Sequence, residues 1–178
     1  MSLGSEERAF YSTGDRSIDM DVKSRHHLRS DAISELQTAV SEGLGVDIDG
    51  DSFELVELED DRFDVVLVDG QPLVFYVDNE PFLTVAGANA FPPERGIVTV
   101  DAGAISFVSN GADVMRPGIT KADAAIESGD LVAIVEETHE KVLAIGRATT
   151  SGDDMVGDSG KVVASIHYVG DELYELSV

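Results

Sequence analysis

The stretch DAGAISFVSNGADVMRPGI, residues Asp101–Ile119, carries several backbone signals in close succession. Asp101 is a good N-cap, and the apolar residues after it are spaced to give a short helix one apolar side. Asn110-Gly111 tolerates the left-handed conformation that ends such a helix, and residues 112–115 favour the start of a strand. Pro117-Gly118 fits the centre of a type II turn. We expect a helix, a glycine loop whose outward N–H groups can hold an anion or a nucleobase edge, and a strand.

The same stretch resembles a known RNA-binding module. NGADVMRPGI, preceded by VDAGAISFV and followed by GDLVAIV and AIGRA, is similar to the PUA domain, named for pseudouridine synthases and archaeosine transglycosylases. The C-terminal HYVGDELYEL resembles the closing hairpin of one PUA subfamily, and KSRHHLRSDAISEL resembles that subfamily's pre-PUA domain. The subfamily contains the translation-machinery-associated proteins related to malignant T-cell amplified sequence and the N-terminal part of ligatin. The matches cover residues 22–178.

The resemblance implies an α+β fold, in which an N-terminal α+β pre-PUA domain precedes a PUA β-pseudobarrel with an embedded helix. It also implies that RNA contacts the glycine loop and the strand after it. Without the resemblance, the same glycines would indicate only a helix end and a turn. The implied RNA-binding residues are Gly111, Ala112, Asp113, Val114, Met115 and Arg116.

The chain outside this stretch predicts two units. A helix is expected from the N-cap Ser30 through Glu42, followed by a meander of strands. The segment AGANAFPPERG, Ala86–Gly96, has glycine, paired prolines and no periodicity, which is typical of a boundary. We therefore expect a flexible tail over 1–19, a pre-PUA domain over 20–95 and a PUA RNA-binding domain over 96–178.

Alternating apolar residues predict the individual strands. A helical turn is expected within Thr120–Ser128, and an acidic turn at Glu59-Asp60-Asp61. The predicted strands are Phe53–Leu58, Phe63–Val68, Leu73–Val77, Phe82–Val85, Ile97–Val100, Leu131–Val135, Val142–Ala148, Val162–Tyr168 and Glu172–Leu176.

The composition restricts the possible environments of the protein. There is no cysteine, which excludes disulfides, thiolate metal sites and cysteine nucleophiles. No apolar run approaches the ~20 residues that span a bilayer, and the N-terminus has no apolar signal-peptide segment. We expect a cytoplasmic protein that makes no contact with a membrane.

The chain is strongly acidic. Its 35 acidic and 12 basic residues give a net charge of −23, spread through both halves. Nucleic-acid binders usually carry the opposite sign, because neutralising phosphates supplies affinity. One interpretation is that the surface meets a cationic partner. The other is adaptation to molar intracellular salt, where repulsion is screened within ~3 Å; few lysines and abundant Asp, Gly and Val favour it and predict a halophilic archaeal source.

The sequence gives little support for a metal site or for an enzyme active site. Asp47, Asp49 and Asp51 are in register for a calcium loop, but the glycine, apolar residue and bidentate acid that such a loop requires are missing. The adjacent His26 and His27 point to opposite faces of an extended segment and cannot share one ion. No nucleophile, Walker or dinucleotide motif is present. We expect a non-catalytic protein with no metal and no cofactor.

The densest basic cluster lies near the start of the matched region and contains Lys23, Arg25 and Arg29. These side chains could contact RNA phosphates. They could equally serve as partners for the surrounding carboxylates. Both interpretations stay open at this point.

The resemblance implies a non-catalytic RNA-binding protein of the translation apparatus. Such a protein would engage the small ribosomal subunit and tRNA or rRNA, in initiation or in recycling of deacylated tRNA. A second translation-factor protein is a further possible partner. An alternative is an accessory module that presents tRNA to a separate RNA-modification enzyme. A third is a protein-interaction adaptor whose acidic surface meets a basic partner.

Overall fold

The computed structural model describes residues 22–59 and 63–177. The predicted tail over 1–19 and the turn residues Asp60 and Asp61 lie outside them. Within the described residues the chain forms two sheets, one from each half. The first half contains β1 (Val22–His27), α1 (Ser30–Leu44), β2 (Phe53–Leu58), β3 (Asp64–Val68), β4 (Gln71–Val77), β5 (Glu80–Leu83) and α2 (Val85–Ala90). The second half contains β6 (Ile97–Val100), α3 (Ile105–Val108), β7 (Val114–Met115), β8 (Ile119–Ala122), β9 (Leu131–Glu136), β10 (Val142–Ala148) and β11 (Lys161–Tyr168).

The first sheet is an antiparallel meander in the order β1-β2-β3-β4-β5. Helix α1 packs against β5 and buries Leu36, Val40 and Leu44. The helix runs past the predicted end at Glu42, because Leu44 still belongs to its buried stripe. The predicted cap, Ser30, is the first helical residue instead, and Arg29 before it makes no side-chain capping bond.

The second sheet has the strand order β7-β11-β10-β9-β6-β8 and curls into a nearly closed barrel. All neighbouring strands are antiparallel except β6 and β9, which are parallel. Helix α3 is embedded between β6 and β7, after a 3-10 turn at Ala102–Ala104. The Asp101 side chain caps this turn by accepting the Ala104 N–H at 3.0 Å. The predicted α+β fold, with a barrel-like second half and one embedded helix, is confirmed.

Of two local predictions after the glycine loop, one is wrong and the other holds for only part of its segment. Arg116–Gly118 is a 3-10 turn rather than a type II turn, because Gly118 does not take the positive φ that a type II turn needs. The Gly118 carbonyl instead accepts the Asp101 N–H at 2.9 Å. The helical turn expected within Thr120–Ser128 is confined to Asp123–Ile126, where the Ile126 N–H donates to the Asp123 carbonyl at 3.2 Å. The first residues of the segment belong to β8, which pairs with β6.

The predicted last strand, Glu172–Leu176, is also wrong, since the segment forms turns. Both edges of β11 are already occupied, by β10 and by β7, so no edge is available for a further strand beside it. Leu173 and Leu176 are buried in the core. The three-residue spacing of these two buried leucines fits a turn rather than the period of two that a strand requires.

The predicted boundary is more ordered than its sequence suggests. Residues 85–90 form α2, which packs against β4 of the first sheet and β10 of the second. The Asn89 side-chain amide donates to the Val142 carbonyl at 3.1 Å, and its oxygen accepts the Val142 N–H at 2.9 Å. Side chains of the second sheet, such as Ile145, share one apolar cluster with the first sheet. The irregular part of the boundary is thus confined to 91–96.

The division into units 20–95 and 96–178 stays a prediction, and we place its cleavable joint at 91–96. Arg95 is exposed there, so limited trypsin digestion should cut after this residue. Because the apolar core crosses the joint, the two fragments should elute together in native size-exclusion chromatography and separate only in denaturant. A first cut inside either described half would contradict this placement.

Candidate nucleic-acid interface

A pocket of about 390 Å³ lies beside the glycine loop. Its walls come from the 3-10 turn at Ala102–Ala104, from α3, from β7 and from the turn after β7. The stretch Asp101–Ile119 thus builds the pocket by itself, as a single local unit. The apolar part of the lining consists of Ala104, Phe107, Val108, Val114, Met115 and Pro117.

Two large apolar side chains at this pocket are exposed. Phe107 on α3 leaves 67% of its surface accessible, and Met115 at the end of β7 leaves 49%. An exposed aromatic ring beside an apolar pocket is an arrangement on which proteins stack unpaired bases. Phe107 was not among the residues predicted from the sequence. The available signal was its position off the apolar side formed by Ile105 and Val108, where an aromatic residue gains nothing from the core.

Gly111 takes the predicted left-handed conformation, with φ of +89°. The Tyr168 ring lies against it, so a Cβ at this position would be 2.7 Å from the ring carbon Cε1. Contrary to expectation, the loop N–H groups do not face outward: Gly111 donates to the Val108 carbonyl at 3.1 Å, and Ala112 to the Phe107 carbonyl at 3.0 Å. These donors satisfy carbonyls at the end of a short helix. The loop therefore offers shape and apolar surface rather than free donors.

The strand after the loop divides its side chains between the core and the rim. Val114 is buried and pairs with Val163 of β11. Asp113 accepts the Ser165 N–H through Oδ1 at 2.8 Å, and its Oδ2 lies 3.4 Å from the Lys161 Nζ. Asp113 thereby joins β11 to the loop and holds a cation beside it.

Lys161 is the cation that sequence reasoning missed at this site. It stands opposite Met115 in the pairing of β7 with β11, and half of its side chain is exposed. A lysine in this place can reach a phosphate of a strand whose base occupies the pocket. Nothing in the sequence near the motif indicates it, because only the pairing of the two strands brings Lys161 to the rim.

Arg116 is directed toward its own chain. Its Nε donates to the Asp154 carbonyl at 2.7 Å, and its Nη1 to the Ser159 carbonyl at 2.9 Å. The contact roles of the six motif residues stay a prediction. The structure leaves Ala112, Asp113 and Met115 exposed, keeps Gly111 and Arg116 partly covered, and buries Val114.

Comparison with known proteins identifies the family to which the chain belongs. A model of the PUA domain matches residues 96–169. An uncharacterized protein of Methanocaldococcus jannaschii is 41% identical over 115 residues, covering 64% of this chain and 71% of that protein. Translation machinery-associated protein 20 of Saccharomyces cerevisiae is 35% identical over 132 residues, covering 70% and 72%. Malignant T-cell-amplified sequence 1 of Danio rerio is 31% identical over 121 residues, covering 65% and 67%.

The chain belongs to this family of PUA-domain proteins. A crystal structure of a hypothetical protein from Pyrococcus horikoshii has the same fold, with a TM-score of 0.77 and 30% identity, and the match covers 87% of this chain and 100% of that one. A conserved PUA-domain protein from Thermoplasma acidophilum has a TM-score of 0.75 at 30% identity, covering 85% and 97%. Both matches extend over the two sheets, so the first half of the chain also belongs to the shared fold.

The basic cluster lies apart from the PUA pocket. Lys23, Arg25 and Arg29 are on or next to β1, an edge strand of the first sheet, whereas the pocket adjoins β7, an edge strand of the second. Arg25 donates to both Glu54 carboxylate oxygens, at 3.2 and 3.0 Å, and this hydrogen bonding holds the pKa of Glu54 below its ordinary value. Arg29 lies 3.7 Å from Asp31. Carboxylate pairing therefore accounts for Arg25, and an RNA role for the cluster stays a prediction.

The backbone of the segment that resembles a calcium loop is held by hydrogen bonds within the protein. In the segment that resembles a calcium loop, Asp69 accepts the N–H groups of Asp51 and Ser52, both at 2.9 Å. Across the described part of the chain, no three His, Asp or Glu side chains are grouped so that they could hold a metal ion. Within residues 22–59 and 63–177, no helix has the length and apolar character needed to cross a bilayer.

Behind the Gly111 loop, the PUA barrel contains a contact between a buried histidine and a carboxylate. His167 is fully buried, and its Nδ1 lies 2.9 Å from Asp171 Oδ2. The Asp171 carboxylate also accepts the N–H groups of Tyr168 at 3.0 Å and Tyr174 at 2.8 Å. Burial raises the pKa of Asp171, but the contact with His167 and the two N–H groups lower it more, so the net shift is downward. Asp171 thus ties the C-terminal turns to the strand behind the glycine loop.

Asp171→Asn should therefore destabilise the protein in a pH-dependent way. We expect the free energy of unfolding at neutral pH to fall by about 1–3 kcal/mol, the usual effect of losing a charge-assisted buried contact. Because the folded-state pKa is depressed, the ionised carboxylate contributes stability above its ordinary pKa of 3.8 and loses it as the pH falls through the folded-state value. Urea unfolding of parent and variant across acidic pH should show their difference shrinking. Asp47→Asn, at an exposed position, is the control, and an equal loss there would contradict the assignment.

Proposed function

We propose that this chain is a non-catalytic, cytoplasmic RNA-binding protein of the translation apparatus, and that it engages the small ribosomal subunit and tRNA in initiation or in recycling. The observation that carries the proposal is the apolar pocket beside the Gly111 loop, with Phe107 and Met115 exposed at it and Lys161 at its rim. The names of the relatives from yeast and zebrafish, one of them translation machinery-associated protein 20, support the connection with translation.

Base stacking rather than phosphate neutralisation supplies most of the affinity in this proposal. A chain with a net charge of −23 gains little from long-range attraction to RNA, and at the pocket Lys161 is already shared with Asp113. Stacking an unpaired base on an aromatic side chain is worth about 1–3 kcal/mol and does not release counterions. Binding to single-stranded RNA should consequently depend on salt less steeply than that of a basic RNA-binding protein.

The experiment that tests this function is sedimentation of the purified chain with small ribosomal subunits, together with filter binding of deacylated tRNA, both in molar KCl. We expect co-sedimentation and retention of tRNA. Binding of tRNA without co-sedimentation would point to the accessory module that serves a modification enzyme. Loss of RNA binding, with capture of a basic protein, would point to the adaptor and would overturn the proposal.

The acidic composition leads to a separate prediction on salt and stability. Self-repulsion among the carboxylates should destabilise the compact state in dilute salt, and molar salt should relieve it by screening charges beyond ~3 Å. We expect a higher unfolding midpoint in molar KCl than at low KCl in thermal denaturation followed by circular dichroism. Equal or greater stability at low salt would count against a halophilic origin.

A further inference from the structure

The loop 151–160, between β10 and β11, is the most acidic element beside the PUA pocket. Its exposed carboxylates are Asp153, Asp154 and Asp158. None of them forms an ion pair with any residue in 22–59 or 63–177; the Asp154 carboxylate accepts only the Ser151 hydroxyl, at 3.3 Å. The three carboxylates of the loop therefore face solvent.

The loop is held in place at both ends. Near its start, Met155 is fully buried in the barrel core, and the Gly152 N–H donates to the Ile126 carbonyl at 2.9 Å. At its end, the Gly160 carbonyl accepts the Arg116 N–H at 2.9 Å. Because Arg116 directly follows Met115, these contacts fix the loop next to the exposed end of β7.

The Arg116 side chain completes the attachment. The guanidinium donates to the carbonyls of Asp154 and Ser159, on opposite sides of the loop's tip. The chain passes so close that a Cβ at Gly157 would be 3.0 Å from the Arg116 Cδ, and one at Gly160 would be 2.8 Å from its Nη1. Nε and Nη1 of the planar guanidinium thus hold two backbone carbonyls of the loop, and a lysine ammonium lacks this fork geometry.

We propose that Arg116 is a positioning residue of the RNA interface, because it fixes the acidic loop 151–160 beside the pocket. The carboxylates of the fixed loop repel phosphates, and this repulsion favours single-stranded over duplex RNA. This inference rests on the proposed function. A single strand can place one unpaired base against Phe107 and turn away from the carboxylates. A duplex carries a charge every ~1.7 Å, twice the density of one strand, and cannot bend away from the loop or offer an unstacked base.

The test compares the parent chain with a loop variant, a matched control variant and two variants of Arg116. In the first, Asp153, Asp154 and Asp158 are all replaced by Asn. A matched control replaces Asp47, Asp49 and Asp51, which lie in the first half, by Asn, so that the net charge changes equally. The probes are a single-stranded RNA of about 12 nucleotides and a duplex of the same length, measured by fluorescence anisotropy at low and at molar KCl.

At low KCl the loop variant should bind the duplex roughly tenfold more tightly than the parent does, with little change for the single strand. The reason is that each carboxylate close to a phosphate weakens the affinity of the parent by about a few-fold. The control variant should improve both probes slightly and equally. In molar KCl the gain should vanish, because screening already removes the barrier. A loop variant with the same duplex-to-single-strand ratio as the control would overturn the proposal, whereas a parent that binds neither probe would overturn the proposed function itself.

Arg116→Lys separates a positioning role of this residue from a direct contact with phosphate, because the substitution keeps the charge. We expect faster amide hydrogen exchange over 153–160 and a loss of discrimination against the duplex, with single-strand affinity and its salt dependence unchanged. If Arg116 bound a phosphate instead, Arg116→Gln would weaken single-strand binding and reduce its salt slope by about one unit, while the lysine variant would behave like the parent. That pattern would contradict the positioning role.

Discussion

Phe107→Ala should weaken the binding of single-stranded RNA by roughly 5- to 150-fold, since stacking one base on an aromatic ring is worth about 1–3 kcal/mol. The side chain is 67% exposed, so its removal should leave the free energy of unfolding almost unchanged. The measurement is fluorescence anisotropy with a labelled oligonucleotide in molar KCl, where the protein should be most stable. Phe107→Tyr keeps the ring and should retain most of the affinity.

A matched control for this prediction is Tyr174→Ala, which removes another partly exposed aromatic ring from the C-terminal turns. The capping contact there uses the Tyr174 N–H rather than its ring, so the turn should survive. Its RNA affinity should match that of the parent. If Phe107→Ala also binds RNA like the parent, the site lies elsewhere, and Lys23, Arg25 and Arg29 on the edge of the first sheet become the next residues to replace.

Gly111→Val should damage both the fold and the interface. A β-branched residue at φ +89° carries backbone strain of about 1–3 kcal/mol. The added side chain also meets the Tyr168 ring, whose Cε1 would lie 2.7 Å from the new Cβ, and overpacking of this kind typically costs a further ~1–3 kcal/mol. Relief requires the loop or the ring to move, and a movement of the loop displaces Val108 and Asp113, which line the pocket. RNA binding should fall sharply even where the variant is fully folded.

Gly129→Val is the control for the backbone strain that a β-branched residue causes at positive φ. Gly129 has a similar φ of +98°, but no atom lies within 4 Å of a Cβ built there. Its destabilisation in urea unfolding should therefore reflect strain alone, and the excess loss in Gly111→Val measures the contact with Tyr168. Equal destabilisation of the two variants, or normal RNA binding by folded Gly111→Val, would show that this contact does not shape the interface.

Local signals in the sequence were sufficient to predict much of the fold. Asp101 caps its turn and Gly111 takes positive φ because capping and left-handed backbone depend on the residue itself and its near neighbours. The central strands follow from alternation in the same way. The prediction for Glu172–Leu176 was wrong because a strand also needs a free neighbour, and sheet order, which no local pattern reveals, leaves β11 without one.

The sequence by itself determined the family motif, the α+β character, the acidic charge and the glycine loop as one local unit. Only the tertiary structure decided which side chains surround that loop. Lys161 reaches the rim through the register of β11 against β7, and Arg116 is spent on carbonyls of Asp154 and Ser159, far along the chain. Phe107 remains exposed because α3 turns its other side to the core. The physical reason is that a side chain's partners depend on how strands are ordered and registered, which is fixed by the sum of many distant contacts.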